Sequence, residues 1–175
     1  NGIDSSIAVN ASVTSTSGNI NVLADNDVTF DATSDITSTS GNVTVTADTD
    51  TAADSGGSDQ GALTMSDGAV INAGSGTVDM DANEDVSLST VTTTNTVDVT
   101  SAVGAIVDNT AAETANVTAT AAAFRAATGI GAGVAGGDAT DIDTTISTLA
   151  ALNTTTGDIS IDNSVGGLLT IGTVD

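Results

Sequence analysis

The most informative feature of this 175-residue sequence is what it lacks. It contains no Cys, His, Pro, Trp or Tyr, and its only basic side chain is Arg125. Without His or Cys the chain has no Ser-His or Cys-His pair, and without Lys it cannot form a Schiff base. The absence of cysteine also excludes a disulfide framework. These absences remove most covalent enzyme chemistry.

The charge is almost entirely of one sign. The chain has 23 Asp and Glu residues against one Arg, which gives a formal net charge of −22. Nucleic acids and anionic membrane surfaces are bound by clustered Lys and Arg, so both partner classes are excluded. No apolar run approaches the about 20 residues of a membrane-spanning helix, so no membrane insertion is expected. The composition fits a self-repelling surface, or one that collects cations.

Large aromatic residues are nearly absent as well. The hydrophobic content is 39%, but it includes only 2 Phe, so Ala, Val, Ile and Leu supply almost all of it. A globular domain of this length usually fills a wide core with aromatics. A narrow interior lined by small and β-branched residues does not need them, and Val and Thr favour strands. The composition therefore indicates an all-β chain with a narrow core.

An internal repeat organises the chain. Residues 14–25, TSTSGNINVLAD, return 23 positions later as TSTSGNVTVTAD at residues 37–48. Looser copies follow, each with a turn and then a short strand of alternating residues. Repetition at about 20 residues is typical of solenoids. We predict a right-handed parallel β-helix, a β-solenoid of about eight coils of 19–23 residues. A β-sandwich repeat array is the alternative fold.

The alternation predicts which side chains fill the interior. In the first segment Ile7, Val9, Ala11 and Val13 would share one face. Across the two close copies, the following residues should point inward and stack one coil apart: Val13, Ile20, Val22, Ile36, Val43 and Val45.

Two segments between residues 118 and 152 leave their secondary structure open. The Ala-rich segment 118–127 is compatible with a helix, or with a strand that places Val117, Ala119, Ala121 and Ala123 on one face. Further on, Ile142, Ile146, Leu149 and Leu152 have helix-like spacing, with Asp141 or Asp143 as a cap. A strand, a turn and a second strand fit that segment equally well.

The domain organisation is a single solenoid segment over residues 1–175. Residues 48–61 are rich in Asp, Gly and Ser without apolar alternation, which predicts a surface loop inserted into one coil. The strand pattern is already under way at Asn1 and still continues at Asp175. We therefore expect this chain to be part of a longer repeat protein.

The densest acidic cluster covers residues 79–85, DMDANED. Alternation places Asp79 and Asp81 outward, and Asp85 follows at the end of the cluster. Coils stack about 4.8 Å apart, so unpaired carboxylates on neighbouring coils repel, and a bound Ca²⁺ would relieve that repulsion. A solvated acidic face is the other interpretation. No other cofactor is expected.

Four Asn-x-Ser/Thr sequons, at Asn10, Asn42, Asn116 and Asn153, leave glycosylation open. Because Thr is so abundant, chance matches are expected. Asn residues at corners, such as Asn19, Asn42 and Asn72, suit left-handed or ladder-forming positions instead.

Clustered Asp residues are also used by β-helical enzymes that cleave polysaccharides. Their substrate grooves normally need aromatic platforms and basic residues as well. Two Phe and one Arg cannot supply these. We therefore expect no enzymatic activity.

These repeats resemble those of filamentous-haemagglutinin-like surface adhesins, which are giant bacterial exoproteins. The similarity rests on the Thr/Ser-Gly-Asn/Asp-Ile/Val-x-Ile/Val blocks and on residues 68–76, 126–131, 147–151, 156–159 and 169–171. It covers most of the chain outside residues 48–61. It implies a right-handed β-helix exported to the bacterial surface, with a structural role in adhesion or as a stalk or fibre. The family offers no catalytic residues to transfer.

Two further functions are compatible with the sequence. The segment could be a self-assembling subunit whose coils stack end to end into an extracellular filament or sheath, because an exposed coil end is a template for strand pairing. It could also be a calcium-dependent module that binds a carbohydrate of a host surface or matrix. The expected partners are therefore neighbouring repeats, further copies of the chain, or such a polysaccharide.

Overall fold

The computed structural model describes residues 5–49, 61–112, 114–131 and 140–173, and in these the chain is all-β. Nineteen strands form three parallel sheets, and the described residues contain no helix. Each strand pairs with the strand one turn later along the chain, so the sheets run parallel to a common axis. The parallel β-helix prediction is confirmed, and the β-sandwich alternative is wrong.

Each of the first five turns of the chain contributes one strand to each sheet. Sheet A contains β1 (Ile7–Val9), β4 (Val28–Phe30), β7 (Leu63–Met65), β10 (Val86–Leu88) and β13 (Ile106–Asp108). Sheet B contains β2 (Val13–Ser15), β5 (Asp35–Ser38), β8 (Val70–Asn72), β11 (Thr90–Thr92), β14 (Val117–Thr118), β16 (Ile142–Thr145) and β18 (Ile161–Asn163). Sheet C contains β3 (Ile20–Ala24), β6 (Val43–Ala47), β9 (Val78–Ala82), β12 (Thr96–Ser101), β15 (Ala121–Ala126), β17 (Thr148–Asn153) and β19 (Thr170–Ile171).

The solenoid makes about six turns rather than the predicted eight. Sheets B and C each contain seven strands, and sheet A continues past β13 through single bridges from Ile106 to Ile130 and from Ile130 to Ile159. The offset between stacked residues is 19 from Val78 to Val97 but 35 from Val43 to Val78. Longer corners use up residues, so the chain completes fewer turns.

The inserted loop predicted at residues 48–61 falls largely outside the described residues and stays a prediction. Residues 48–62 connect β6 to β7, whereas residues 25–27 make the equivalent connection from β3 to β4. Most of the predicted loop, residues 50–60, lies outside the described residues. Asp48, at the start of this corner, has a φ of 71°.

The Ser-Gly-Asn motif of the repeat forms the corner before sheet C. Ser15 Oγ accepts a hydrogen bond from Gly18 N at 3.0 Å, and Ser38 Oγ accepts the equivalent bond from Gly41 N at 2.8 Å. Gly18, Gly41 and Gly76 are stacked, and a Cβ on either of the last two would overlap the backbone of the preceding glycine. Glycine recurs in these coils because the backbones approach each other too closely here for a Cβ.

Asparagine side chains join the corners of successive coils. Asn19 Oδ1 accepts a hydrogen bond from Asn42 N, and Asn42 Oδ1 accepts one from Thr77 N, both at 3.0 Å. The ladder interpretation of Asn19 and Asn42 is therefore confirmed. Asn72 lies in a strand instead, and its side chain accepts a bond from Gly74 N at 2.9 Å. The left-handed interpretation is wrong, because Asp48 is the only non-glycine residue with positive φ among the described residues.

The core is a continuous apolar column inside the three sheets. Both Phe residues and both Met residues lie within it, namely Phe30, Met65, Met80 and Phe124, all at most 1% exposed. The rest of the column is mainly Val, Ile, Leu and Ala from alternating strand positions. These side chains are small enough to share an interior that is only one coil cross-section wide.

The predicted stacking of inward residues is confirmed by strand register. Val13 pairs with Ile36, Ile20 with Val43, and Val22 with Val45. The members from the second coil are fully buried: Ile36, Val43 and Val45. Val13 is 42% exposed because β2 is the first strand of sheet B, so this side chain is covered from one side only.

The opening segment differs from the prediction of one continuous face. Residues 7–9 belong to sheet A and residues 13–15 to sheet B, with a corner between them. Ala11 lies in that corner and is exposed. Alternate side chains lie on the same side of the backbone only within one continuous strand. The corner interrupts the strand, so the residues after it do not continue the face formed by Ile7 and Val9.

The Ala-rich segment is a strand, but its inward face is not the predicted one. In β15 the buried residues are Ala122, Phe124 and Ala126, whereas Ala121 and Ala123 face outward. A bend at residues 119–120 separates β14 from β15. This bend changes which residues point inward, so the alternation that begins at the buried Val117 does not continue into β15.

Residues 142–153 form two strands with a corner between them. Ile142–Thr145 pairs with β14 and β18, and Thr148–Asn153 pairs with β15 and β19. The helix alternative is therefore wrong. Parallel pairing on both sides satisfies the backbone of each strand, whereas a helix would leave the edge of β15 without its next strand.

Candidate functional site

The first group of candidate residues lies on the outer face of sheet C. Asp79 and Asp81 alternate with buried Val78, Met80 and Ala82 on β9, as predicted. The register of β9 and β12 places Asp98 directly beside Asp79 on the next coil. Three carboxylates therefore share one patch, and alternation along the sequence had identified two of them.

Burial and like charge act together in this patch. Burial raises the pKa of the Asp81 carboxyl, the charges of Asp79 and Asp98 raise it further, and a hydrogen bond donated by the Thr100 side chain lowers it. Burial also raises the pKa of Asp98, followed by the charge of Asp79, against a backbone hydrogen bond from Val99. The patch thus holds its negative charge at an energetic cost.

Asp85 has a separate role at the corner after β9. Its Oδ1 atom accepts a hydrogen bond from Ala105 N of the next coil at 2.8 Å. Asp27 occupies the equivalent corner two coils earlier, where its Oδ1 atom accepts a bond from Ala62 N at 3.0 Å. These carboxylates connect coils. A calcium site at Asp79, Asp81 and Asp85 stays a prediction.

A second carboxylate group lies on sheet B, where sequence reasoning did not look for a site. Asp143 on β16 pairs in register with Asp162 on β18, and Asp141 immediately precedes β16. One carboxylate oxygen from each of the three residues lies within 4.8 Å of the others. The sequence carried a signal for it, since Ile-Asp occurs at residues 142–143 and again at 161–162, with the same offset of 19 that stacks Val78 on Val97.

Asn116 supports the strand that carries this group. It is fully buried, and its Nδ2 atom donates to the carbonyl oxygens of Leu88 and Ser89 at 3.5 and 3.4 Å. Its Oδ1 atom accepts a hydrogen bond from Asp143 N at 2.9 Å. The side chain of this sequon asparagine therefore connects two neighbouring coils of sheet B.

The remaining sequon positions differ in accessibility. Asn10 is exposed, whereas the Nδ2 atom of Asn153 donates to the carbonyl oxygens of Thr156 and Gly157 at 2.6 and 2.7 Å. Asn42 belongs to the corner ladder. Whether any of the four sequon asparagines is glycosylated stays open.

A shallow groove of about 270 Å³ crosses the outer face of sheet C. Its lining includes Asp98, Ala121, Ala123, Thr148 and Gly172. Ligand pockets for small molecules usually occupy about 300–1,000 Å³ and contain aromatic side chains. This groove is smaller, and its walls are mostly small side chains with one carboxylate.

Comparisons with known proteins identify no protein similar to this chain. A scan against family models, a search of curated proteins and a search of solved structures each find no match for this chain. Separately, no helix among the described residues is long and apolar enough to cross a membrane.

Proposed function

We propose that this chain is a non-enzymatic structural segment, a rigid rod in a secreted bacterial surface adhesin or extracellular stalk. The observation that carries the proposal is the uninterrupted stack of coils around one apolar column. Each coil buries its interior against the coils before and after it, so length is gained by adding coils without changing the cross-section. The repeat resemblance to filamentous-haemagglutinin-like adhesins supports the extracellular role.

The mechanism of such a rod is mechanical. Its backbone hydrogen bonds run between coils, parallel to the long axis, and side-chain ladders such as Asn19–Asn42 add to them. The net charge of −22 opposes side-by-side aggregation of neighbouring rods. A rod with this design transmits load and holds another part of its protein away from a cell surface.

Small-angle X-ray scattering and electron microscopy of the purified segment test this function. A rod predicts isolated particles of constant cross-section, with a length that grows in proportion when tandem copies of the segment are fused. Particles that become globular on fusion, or fused copies that scatter as independent beads, would contradict the rod.

End-to-end assembly is the second candidate function, and the last coil favours it. Ile171 pairs in register with Leu149, which places it at an interior position, yet it is 72% exposed. Ile159 at the same end is 47% exposed. Covering these side chains with a further coil would extend the apolar column. Concentration-dependent filaments of constant width would favour this function over the stalk, and particles that stay short at every concentration would exclude it.

A further inference from the structure

We propose that Asn10 is a modification site, the one sequon at which the folded chain accepts an N-linked sugar from an activated glycosyl diphosphate donor. The proposal rests on the secreted role proposed above, because sequons are modified in secreted proteins. The sequence leaves four asparagines equivalent in this respect. The structure separates Asn10 from the other three by exposure, strand pairing and hydrogen bonding.

Asn10 lies at a corner, immediately after β1 and three residues before β2 begins at Val13. The three residues of its sequon, Asn10, Ala11 and Ser12, are all exposed. A sequon is recognised through its asparagine and its hydroxyl residue, so a transferase must reach both. This corner presents both side chains outside any strand.

The exposure of this corner does not depend on its place in the first coil. The second coil has a coil on either side of it, and it makes the same corner with residues 31–34, between β4 and β5. Asp31, Ala32 and Thr33 are exposed there as well. The corner between sheets A and B therefore faces outward from the rod, and a sugar on it would extend into solvent rather than between coils.

Packing excludes two of the other sequons. Asn116 is fully buried, and its side chain donates and accepts hydrogen bonds within sheet B, so a sugar on it has no room in the folded chain. Asn42 is exposed, but its sequon continues into β6, where Val43 is fully buried. Because β6 pairs with β3 on one side and β9 on the other, a transferase cannot draw this sequon out of the sheet.

Hydrogen bonds exclude the last sequon. The Nδ2 atom of Asn153 donates to the carbonyl oxygens of Thr156 and Gly157 at 2.6 and 2.7 Å. A side-chain amide nitrogen has two hydrogens, and both are used in these bonds. The atom that would attack the donor is therefore held against the backbone of the following turn.

The transfer at Asn10 is a substitution at the anomeric carbon of the sugar. The Nδ2 atom forms a bond to that carbon, and the bond from the carbon to the diphosphate oxygen breaks. The electron pair of the broken bond leaves with the diphosphate, and Nδ2 gives up one proton to a base of the transferase. The product is a neutral amide-linked sugar, so the charge of the chain does not change.

The site is tested by incubating the folded chain with a sequon-specific N-glycosyltransferase and UDP-glucose, followed by mass spectrometry of the intact chain and of its peptides. We expect one hexose per chain, on Asn10. Asn10→Gln and Ser12→Ala should each abolish the addition, whereas Ser12→Thr keeps the sequon and should retain it. Circular dichroism establishes that each variant is folded.

Two peptides serve as controls for the effect of the fold. Peptides of residues 7–14 and 114–120 carry the sequons of Asn10 and Asn116 without the solenoid, and both should accept a hexose. Modification of the Asn116 peptide but not of Asn116 in the folded chain would show that folding protects this sequon.

Three outcomes would overturn the proposal. One is a folded chain that accepts no hexose while the peptide of residues 7–14 does, and another is a hexose on Asn42, Asn116 or Asn153 of the folded chain. The third is a peptide of residues 7–14 that is not modified, because its sequon is then not an acceptor. None of these results changes the particle shape measured by scattering and microscopy, so failure of this site is distinguishable from failure of the rod function.

Discussion

Gly41 lies directly against Gly18 of the preceding coil, and a Cβ at residue 41 would overlap the carbonyl oxygen of Gly18. This contact explains why a glycine returns at the same corner in the first three coils, as Gly18, Gly41 and Gly76. We expect Gly41→Ala to lower the free energy of unfolding by about 1–3 kcal/mol, because the coils must separate locally to admit the methyl group. Chemical denaturation followed by circular dichroism measures the change.

The matched control is Gly166→Ala, because nothing lies within 4 Å of a Cβ at that position. It should unfold as the parent does. Equal stability of the two variants would mean that the glycine column is not a close contact.

A substitution at Val43 tests whether this side chain faces the core, as the strand register indicates. Val43 is fully buried between Ile20 and Val78 of the neighbouring coils. Val43→Asp should destabilise the chain by about 3–5 kcal/mol or prevent folding, because it buries an unpaired charge. Thr29→Asp adds the same charge at an exposed position of β4 and should change the melting temperature little. If Val43→Asp melts with the parent, residue 43 does not face the core.

Because the pKa of Asp81 is raised in the folded state, we expect the stability of the protein to depend on pH. The folded pKa of Asp81 is raised by burial and by the charges of Asp79 and Asp98, so the folded state binds more protons than the unfolded state between the ordinary and the raised value. Stability therefore falls as the pH rises through that window. Asp81→Asn should be more stable than the parent at neutral pH, and the difference should shrink as the pH falls through that window towards the ordinary pKa of about 4.

Thermal unfolding between neutral and acidic pH measures this difference. Asp67→Asn removes an exposed carboxylate elsewhere and controls for the change in net charge. A pH-independent difference between Asp81→Asn and the parent would show that the charge of Asp81 does not oppose folding.

Replacing Asn116 tests whether its side-chain hydrogen bonds stabilise the stacking of neighbouring coils in sheet B. Asn116→Ala removes the acceptor for Asp143 N and the donor to the carbonyl oxygens of Leu88 and Ser89. The Leu88 carbonyl keeps its hydrogen bond from Asn109 N, but leaving Asp143 N without this acceptor should cost about 1–3 kcal/mol in the free energy of unfolding. Asn10→Ala, at an exposed position, should cost much less. Comparable losses in both variants would contradict the role of Asn116.

The sequence predicted the acidic patch of sheet C better than the carboxylate group of sheet B. Asp79 and Asp81 are two positions apart, so strand alternation alone places them on one face. Asp143 and Asp162 meet only through the pairing of β16 with β18, which are separated by β17 and by two corners whose lengths do not follow from local pattern. The same uncertainty about corners explains why eight coils were expected and about six turns formed.

By itself, the sequence determined the kind of fold and the register between the strands of the first two coils. The return of TSTSGN after 23 residues predicts that Ile20 stacks on Val43, because identical corners hold successive strands at a constant offset. The near absence of large aromatics, with only two Phe residues, predicts a narrow interior. Only the tertiary structure decided which face of Ala121–Ala126 is buried and which acidic residues meet on sheet B. Alternation acts within one strand, whereas corner geometry sets the direction of the next strand, and the corners are shaped by packing against neighbouring coils.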